Sequence, residues 1–114
     1  MRILLVVDDE VLALKATVRL LKGQFDDVLA AESADEAEAL LESNSVTHLL
    51  VDRQLTDFRL GEELIDSWKR RWSTIHYAAL MTGEDVEELT VPETVDDVFP
   101  KPFDMALLRS SLQK

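Results

Sequence analysis

Two stretches of the chain are apolar without interruption and then stop at acid. Ile3-Leu4-Leu5-Val6-Val7 runs into Asp8-Asp9-Glu10, and Leu49-Leu50-Val51 runs into Asp52. Short apolar runs with no polar alternation are the pattern of strands buried on both faces. The pattern predicts a first strand over Arg2 to Val7 and a third over Val46 to Val51. Val28 to Ala31 is a second strand, Tyr77 to Met81 a fourth that ends at Thr82-Gly83, and Val95 to Phe99 a weak fifth interrupted by Asp96 and Asp97.

Between these runs the apolar period changes to that of a helix. Val11, Leu14, Val18 and Leu21 share one face, with Lys15, Arg19 and Lys22 between them and Gly23 as the stop. Asp8, Asp9 and Glu10 fall at the first turn of that helix, where its dipole favours negative charge. Ser33 and Glu36 have capping-box spacing ahead of a helix through Ala37, Leu40 and Leu41. Leu64, Ile65, Trp68 and Trp72 make a third helical face, with Lys69, Arg70 and Arg71 near its end, and the two tryptophans read as core anchors. Glu84 to Leu89 allows only a short helix, limited by Pro92. Asp104 is placed to cap a last helix with Met105, Leu108 and Leu112 inward. Strand and helix thus alternate five times. That order predicts an α/β fold, a flavodoxin-like (βα)5 three-layer sandwich with a parallel sheet of order 2-1-3-4-5 and a short or irregular fourth helix. The 114 residues suffice for one domain, 1–114.

Composition narrows the function. Cysteine is absent, so no disulfide or thiolate site exists and a cytoplasmic setting fits. The apolar N-terminal run stops after five residues, too short for the core of a secretion signal, and no stretch is long enough to span a membrane. A net charge of −11 argues against direct nucleic-acid binding. It suits a basic partner, a bound cation or a solvated acidic surface. Glu84, Asp85, Glu87, Glu88 and Glu93 form one acidic segment that reads either as a contact face or as plain solvated surface.

In a parallel sheet the C-terminal strand ends share one edge. Asp8 and Asp9 follow the first strand, Asp52 the third, Thr82 the fourth and Lys101 the fifth. Each has an ordinary explanation alone: acids at a helix start, a turn, a solvated lysine. Together they put three mutually repelling carboxylates in one crevice, a place for a hard cation such as Mg²⁺. A carboxylate nucleophile, Mg²⁺, an ammonium and a hydroxyl are the groups that phosphoryl transfer to a carboxylate needs.

These residues carry a family resemblance along essentially the whole chain. Ile3-Leu4-Leu5-Val6-Val7-Asp8-Asp9-Glu10, Leu49-Leu50-Val51-Asp52, Thr82-Gly83 and Lys101-Pro102-Phe103, in this order and with Thr82 30 residues after Asp52, resemble the receiver domain of two-component response regulators. The resemblance implies that Asp52 is the phosphoacceptor, charged from a phosphohistidine on a sensor histidine kinase or a histidine phosphotransfer protein. It implies Mg²⁺ held by Asp8, Asp9, Asp52 and the backbone carbonyl of Gln54, with Thr82 and Lys101 contacting the acyl phosphate. It also implies a cis Lys101-Pro102 bond, an output partner that the sequence does not name, and no turnover of external substrates. Asp52-Arg53-Gln54-Leu55 and Met81-Thr82-Gly83-Glu84 are similar to receivers found within hybrid sensor kinases, so the chain reads as a free-standing receiver or as a domain of a longer protein.

Three features depart from the family pattern. Val98 stands three before Lys101, where the family often has an aromatic switch residue, and Phe99 is next to it. The segment from Thr82 to Lys101 is short and contains Pro92. Gly61 comes nine residues after Asp52, which makes that loop longer than the commonest form. The first two favour an alternative, a degenerate receiver used as a phosphorylation-independent interaction or dimerisation module, whereas the intact Asp8, Asp9, Asp52, Thr82 and Lys101 set opposes it. A third reading, an Asp-nucleophile phosphatase, needs a proton carrier two residues after the nucleophile, and Gln54 is a poor one.

Overall fold

The computed structural model describes residues 1–55, 59–84, 86–101 and 105–113. Five strands, β1 (Ile3–Val7), β2 (Asp27–Ala31), β3 (His48–Asp52), β4 (Tyr77–Thr82) and β5 (Asp97–Pro100), form one parallel sheet of order β2-β1-β3-β4-β5. Four α-helices connect or follow them: α1 (Val11–Leu21), α2 (Ala34–Ser43), α3 (Gly61–Arg71) and α4 (Met105–Leu112). This is the flavodoxin-like arrangement expected from the alternating pattern.

The uninterrupted apolar runs are explained by burial on both faces. Alternate residues of each strand point to opposite sides. Leu5, Val7, Leu49, Val51 and Leu80 pack with Ala37, Leu41, Leu64, Ile65 and Trp68 of α2 and α3. Leu4, Val6, Leu50, Ala79 and Met81 pack with Leu14 and Leu21 of α1 and Leu108 and Leu112 of α4. Trp68 is the anchor expected of it, fully buried, with its indole N–H donating to Glu38 Oε2 at 2.9 Å. Trp72 is only half-buried just beyond α3, with the Arg71 guanidinium 4.2 Å above its ring.

Local signals act where the sequence places them. Ser33 Oγ accepts from Glu36 N–H at 3.1 Å, a cap worth about 1 kcal/mol. Gly23 follows α1 with φ of 98°, a left-handed conformation that disfavours a side chain.

Several boundaries move, for tertiary reasons. Val46 precedes β3, because pairing begins where His48 meets both Leu4 and Tyr77. At the other end Asp52 pairs with Met81 and Thr82 with Pro100, so both site residues belong to strands rather than to the turns after them. β5 starts at Asp97, and the Asp96 side chain just before it accepts from Lys69 Nζ at 2.6 Å and Ala78 N at 2.8 Å. The acids after β1 precede α1 instead of lying in its first turn, and Asp8 Oδ1 accepts from Glu10 N–H at 3.0 Å. The fourth crossover holds one 3₁₀ turn, Val86–Glu88, among the described residues, so the fourth strand-helix repeat is incomplete there. Pro92 and the anchoring of Val91 on the core leave no room for a longer helix. No helix among the described residues is long and apolar enough to cross a membrane. The expected cap at Asp104, the Lys101-Pro102 bond, Phe103, Asp85, the 56–58 part of the loop after Asp52 and the side chains of Glu88 and Met105 lie outside the described residues.

Candidate functional site

The parallel sheet delivers its strand ends to one edge. Carboxylate oxygens of Asp8, Asp9 and Asp52 lie within 4.8 Å of one another. Asp8 is 1% exposed, whereas Asp9 and Asp52 are half-buried. Lys101, just past β5, reaches between them, with Nζ 3.2 Å from Asp8 Oδ2 and 3.5 Å from Asp52 Oδ2. The Lys101 N–H donates to the Thr82 carbonyl at 2.8 Å, which ties the ends of β4 and β5 together. Thr82 is buried, and its hydroxyl oxygen accepts from Glu84 N–H at 3.0 Å. The hydroxyl proton is not used in that bond.

The surroundings of Asp52 oppose its ionisation. Burial pushes the Asp52 carboxyl up to about 6; the Asp8 charge and hydrogen bond add to this, while the Lys101 ammonium and a backbone hydrogen bond from Gln54 pull the other way. Burial alone would lower Lys101, but the Asp52 and Asp8 carboxylates outweigh it and the lysine is held above its ordinary value. Three oxygen donors around one point, one of them almost fully buried, fit a hard divalent cation that retains several waters. Soft or nitrogen-seeking metals have neither thiolate nor imidazole in this cluster.

Beside the cluster is a cleft of about 390 Å³ lined by Asp52, Arg53, Gln54, Thr82, Gly83, Glu84 and Lys101. Arg53 and Glu84 were not singled out for this cleft by sequence. Arg53 Nε is 3.0 Å from Glu62 Oε2 on α3, and its Nη1 is 3.0 Å from Glu84 Oε1. The Gln54 side-chain amide donates to the same Glu84 oxygen at 3.0 Å. Glu84 therefore belongs to the rim of the cleft as well as to the acidic segment. Its place two residues after Thr82 was the available signal, and nothing local pointed to Glu62.

Gly61 explains how α3 meets the site. Its N–H donates to the Arg53 carbonyl at 2.8 Å. A Cβ there would fall 2.4 Å from the Asp52 carbonyl oxygen and 2.8 Å from Leu80 Cδ1. The missing side chain lets α3 start directly against the end of β3. Val98, at the position of the usual aromatic switch, packs on the α2–α3 side of the sheet, and Phe99 is buried on the α1–α4 side.

No family model and no curated protein matches this sequence. Solved structures do match it in shape. A CheY-like response regulator receiver domain from Methylobacillus flagellatus superposes with a TM-score of 0.85 at 21% identity, over 99% of this chain and 97% of that one. A response regulator receiver domain from Clostridium thermocellum gives 0.83 at 22%, over 99% and 92%. A response regulator from Thermotoga maritima, solved in complex with Mg²⁺ and BeF, gives 0.83 at 20%, over 99% and 97%. The fold is that of response regulator receiver domains.

Proposed function

We propose that the chain is a phosphoacceptor receiver, in which Asp52 takes a phosphoryl group from a phosphohistidine of a sensor histidine kinase or histidine phosphotransfer protein. The observation that carries this reading is the placement of Asp52 at the end of β3 with the Asp8 and Asp9 carboxylates within 4.8 Å and the Lys101 ammonium at 3.5 Å. An Asp52 oxygen forms the new P–O bond as the P–N bond to the donor imidazole breaks, and the bonding pair stays on the imidazole nitrogen. Asp8, Asp9, Asp52 and the Gln54 carbonyl would hold Mg²⁺. When bound, that ion supplies positive charge against the phosphoryl oxygens and the three carboxylates.

The chain's own groups divide the remaining work. Lys101 offers a second positive charge, positioned by Asp8 before the phosphoryl group arrives. Thr82 has a free hydroxyl proton to donate to a phosphoryl oxygen. Gln54 is a poor general base, which favours a persistent acyl phosphate over steady turnover of external substrates. The phosphorylated state then alters contacts with a protein partner. The complete set of five site side chains weighs against a purely degenerate interaction module.

The test is Mg²⁺-dependent binding of beryllofluoride, followed by amide NMR, together with mass analysis after incubation with a small phosphoryl donor such as acetyl phosphate. One phosphoryl group on Asp52, and its absence in Asp52→Asn, is the expected result. Equal beryllofluoride binding by the Asn variant would remove Asp52 from this role.

A further inference from the structure

We infer that the Glu84 carboxylate is the resting-state stand-in for the phosphoryl group, and that Arg53, pivoting on Glu62, exchanges Glu84 for phosphoryl oxygens when Asp52 is modified. This rests on the phosphoacceptor reading and names how that site is read out.

The charges on the cleft wall make the first step. An aspartyl phosphate carries more negative charge than the carboxylate it replaces. Among the described residues the cleft has two cations on its walls, Lys101 and Arg53. Lys101 is already shared between Asp8 and Asp52. Arg53 is the wall cation that the Asp8–Asp52 cluster does not already hold, and its guanidinium presents a donor fork suited to phosphoryl oxygens.

Arg53 begins with two carboxylate partners at the same distance, 3.0 Å. Burial decides which is surrendered. The Glu62 side chain is 8% exposed, and its other oxygen, Oε1, is buried with no hydrogen-bond partner. Removing Arg53 from it would strand a charge inside the protein, the expensive way to break an ion pair. The Glu84 side chain is 47% exposed, so water takes over when Arg53 leaves, and such pairs are worth little. Arg53 therefore keeps Glu62 as its pivot.

Gln54 holds Glu84 by the same oxygen and faces the same cleft. A phosphoryl group there competes for both tethers together. Once released, Glu84 frees the segment that leads from Gly83 into the Val86–Glu88 turn. A Cβ at Gly83 would meet nothing within 4 Å, so no packed side chain stands against the start of that segment. The signal then leaves through the short fourth crossover without an aromatic ring at position 98.

The experiment compares amide spectra with and without Mg²⁺ and beryllofluoride. The wild-type protein should show large changes at Gly83, Glu84 and Val86–Glu88, with the first turn of α3 at Gly61–Leu64 little changed. Glu84→Ala, free of ligand, should already show the mimic-bound positions at Val86–Glu88 and should bind the mimic about threefold more tightly. That gain should vanish in an Arg53→Met/Glu62→Gln background, which leaves no unpaired buried charge. A gain of equal size in that background would mean a general electrostatic effect and would overturn the exchange. Mimic binding with unmoved Val86–Glu88 resonances, or with α3 moving instead, would also overturn it. Failure of the wild-type protein to bind the mimic at all would sink the phosphoacceptor reading itself.

Discussion

The Lys101 ammonium stands 3.2 Å from the Asp8 carboxylate, a pair formed across 93 residues and buried on the acid's side. Asp8 is held in this way although it is almost inaccessible to water. Replacing Lys101 with Met strands that charge. The metal-free variant should lose about 2–4 kcal/mol of stability in urea unfolding. Added Mg²⁺ should restore most of the loss, because the ion supplies the missing positive charge. A variant as stable as the parent without Mg²⁺ would show that the pair is energetically idle.

Asp52 is a carboxyl kept at about 6 by burial, so the metal-free fold carries a pH-dependent penalty. Between its ordinary value of 3.8 and about 6 the folded protein binds more protons than the unfolded chain. Stability therefore falls as pH rises through that window, and the penalty is complete above it. Asp52→Asn removes it. Without Mg²⁺ the Asn variant should be about 1–3 kcal/mol more stable than wild type at pH 8 and nearly equal below pH 4. Thermal unfolding at several pH values, with and without Mg²⁺, checks this, and Mg²⁺ should erase the difference.

His48 works in the opposite direction. It is fully buried in β3, with Nδ1 2.7 Å from Thr47 Oγ1, the His76 ring 4.6 Å away and Nε2 without a partner. Burial, aided by the charges of His76 and Arg2, lowers it to about 4. From its ordinary value of 6.5 down to about 4 the unfolded chain binds the extra proton, so acid costs stability in that range. In wild type the Asp52 slope offsets part of this between about 4 and 6. In Asp52→Asn the His48 slope stands alone, so acid destabilisation from pH 6.5 to 4 should steepen. Identical slopes in the two proteins would disprove the opposition.

Gly61→Ala places a methyl group 2.4 Å from the Asp52 carbonyl oxygen, where backbone rather than a flexible side chain has to yield. The expected cost is about 2–4 kcal/mol in chemical denaturation. Mg²⁺ affinity should fall as well, since the displaced carbonyl belongs to the residue that carries the site carboxylate. An unchanged midpoint would mean that α3 can slide away from β3 freely.

Much of the site was legible because parallel topology turns separate strand ends into neighbours. Asp8, Asp9, Asp52, Thr82 and Lys101 could each be placed by the apolar run before it, and the parallel sheet brings their strand ends to one edge. The Arg53 pairs were not legible. They join residues 9 and 31 positions apart, and they depend on how closely α3 approaches β3 and how the chain turns after Thr82. His48 looked like one more strand residue, because nothing local reveals that a ring is sealed on every side.

The sequence by itself determined which segments are strands, which edge gathers their acids and what chemistry those acids suit. Hydrophobic periodicity and strand direction are local properties, and they carry that much. Only the tertiary structure decided the balance of charge around Asp52 and the sharing of Arg53 between a buried and an exposed carboxylate. Those outcomes depend on burial and on distances of a few ångströms, which are settled when the layers pack.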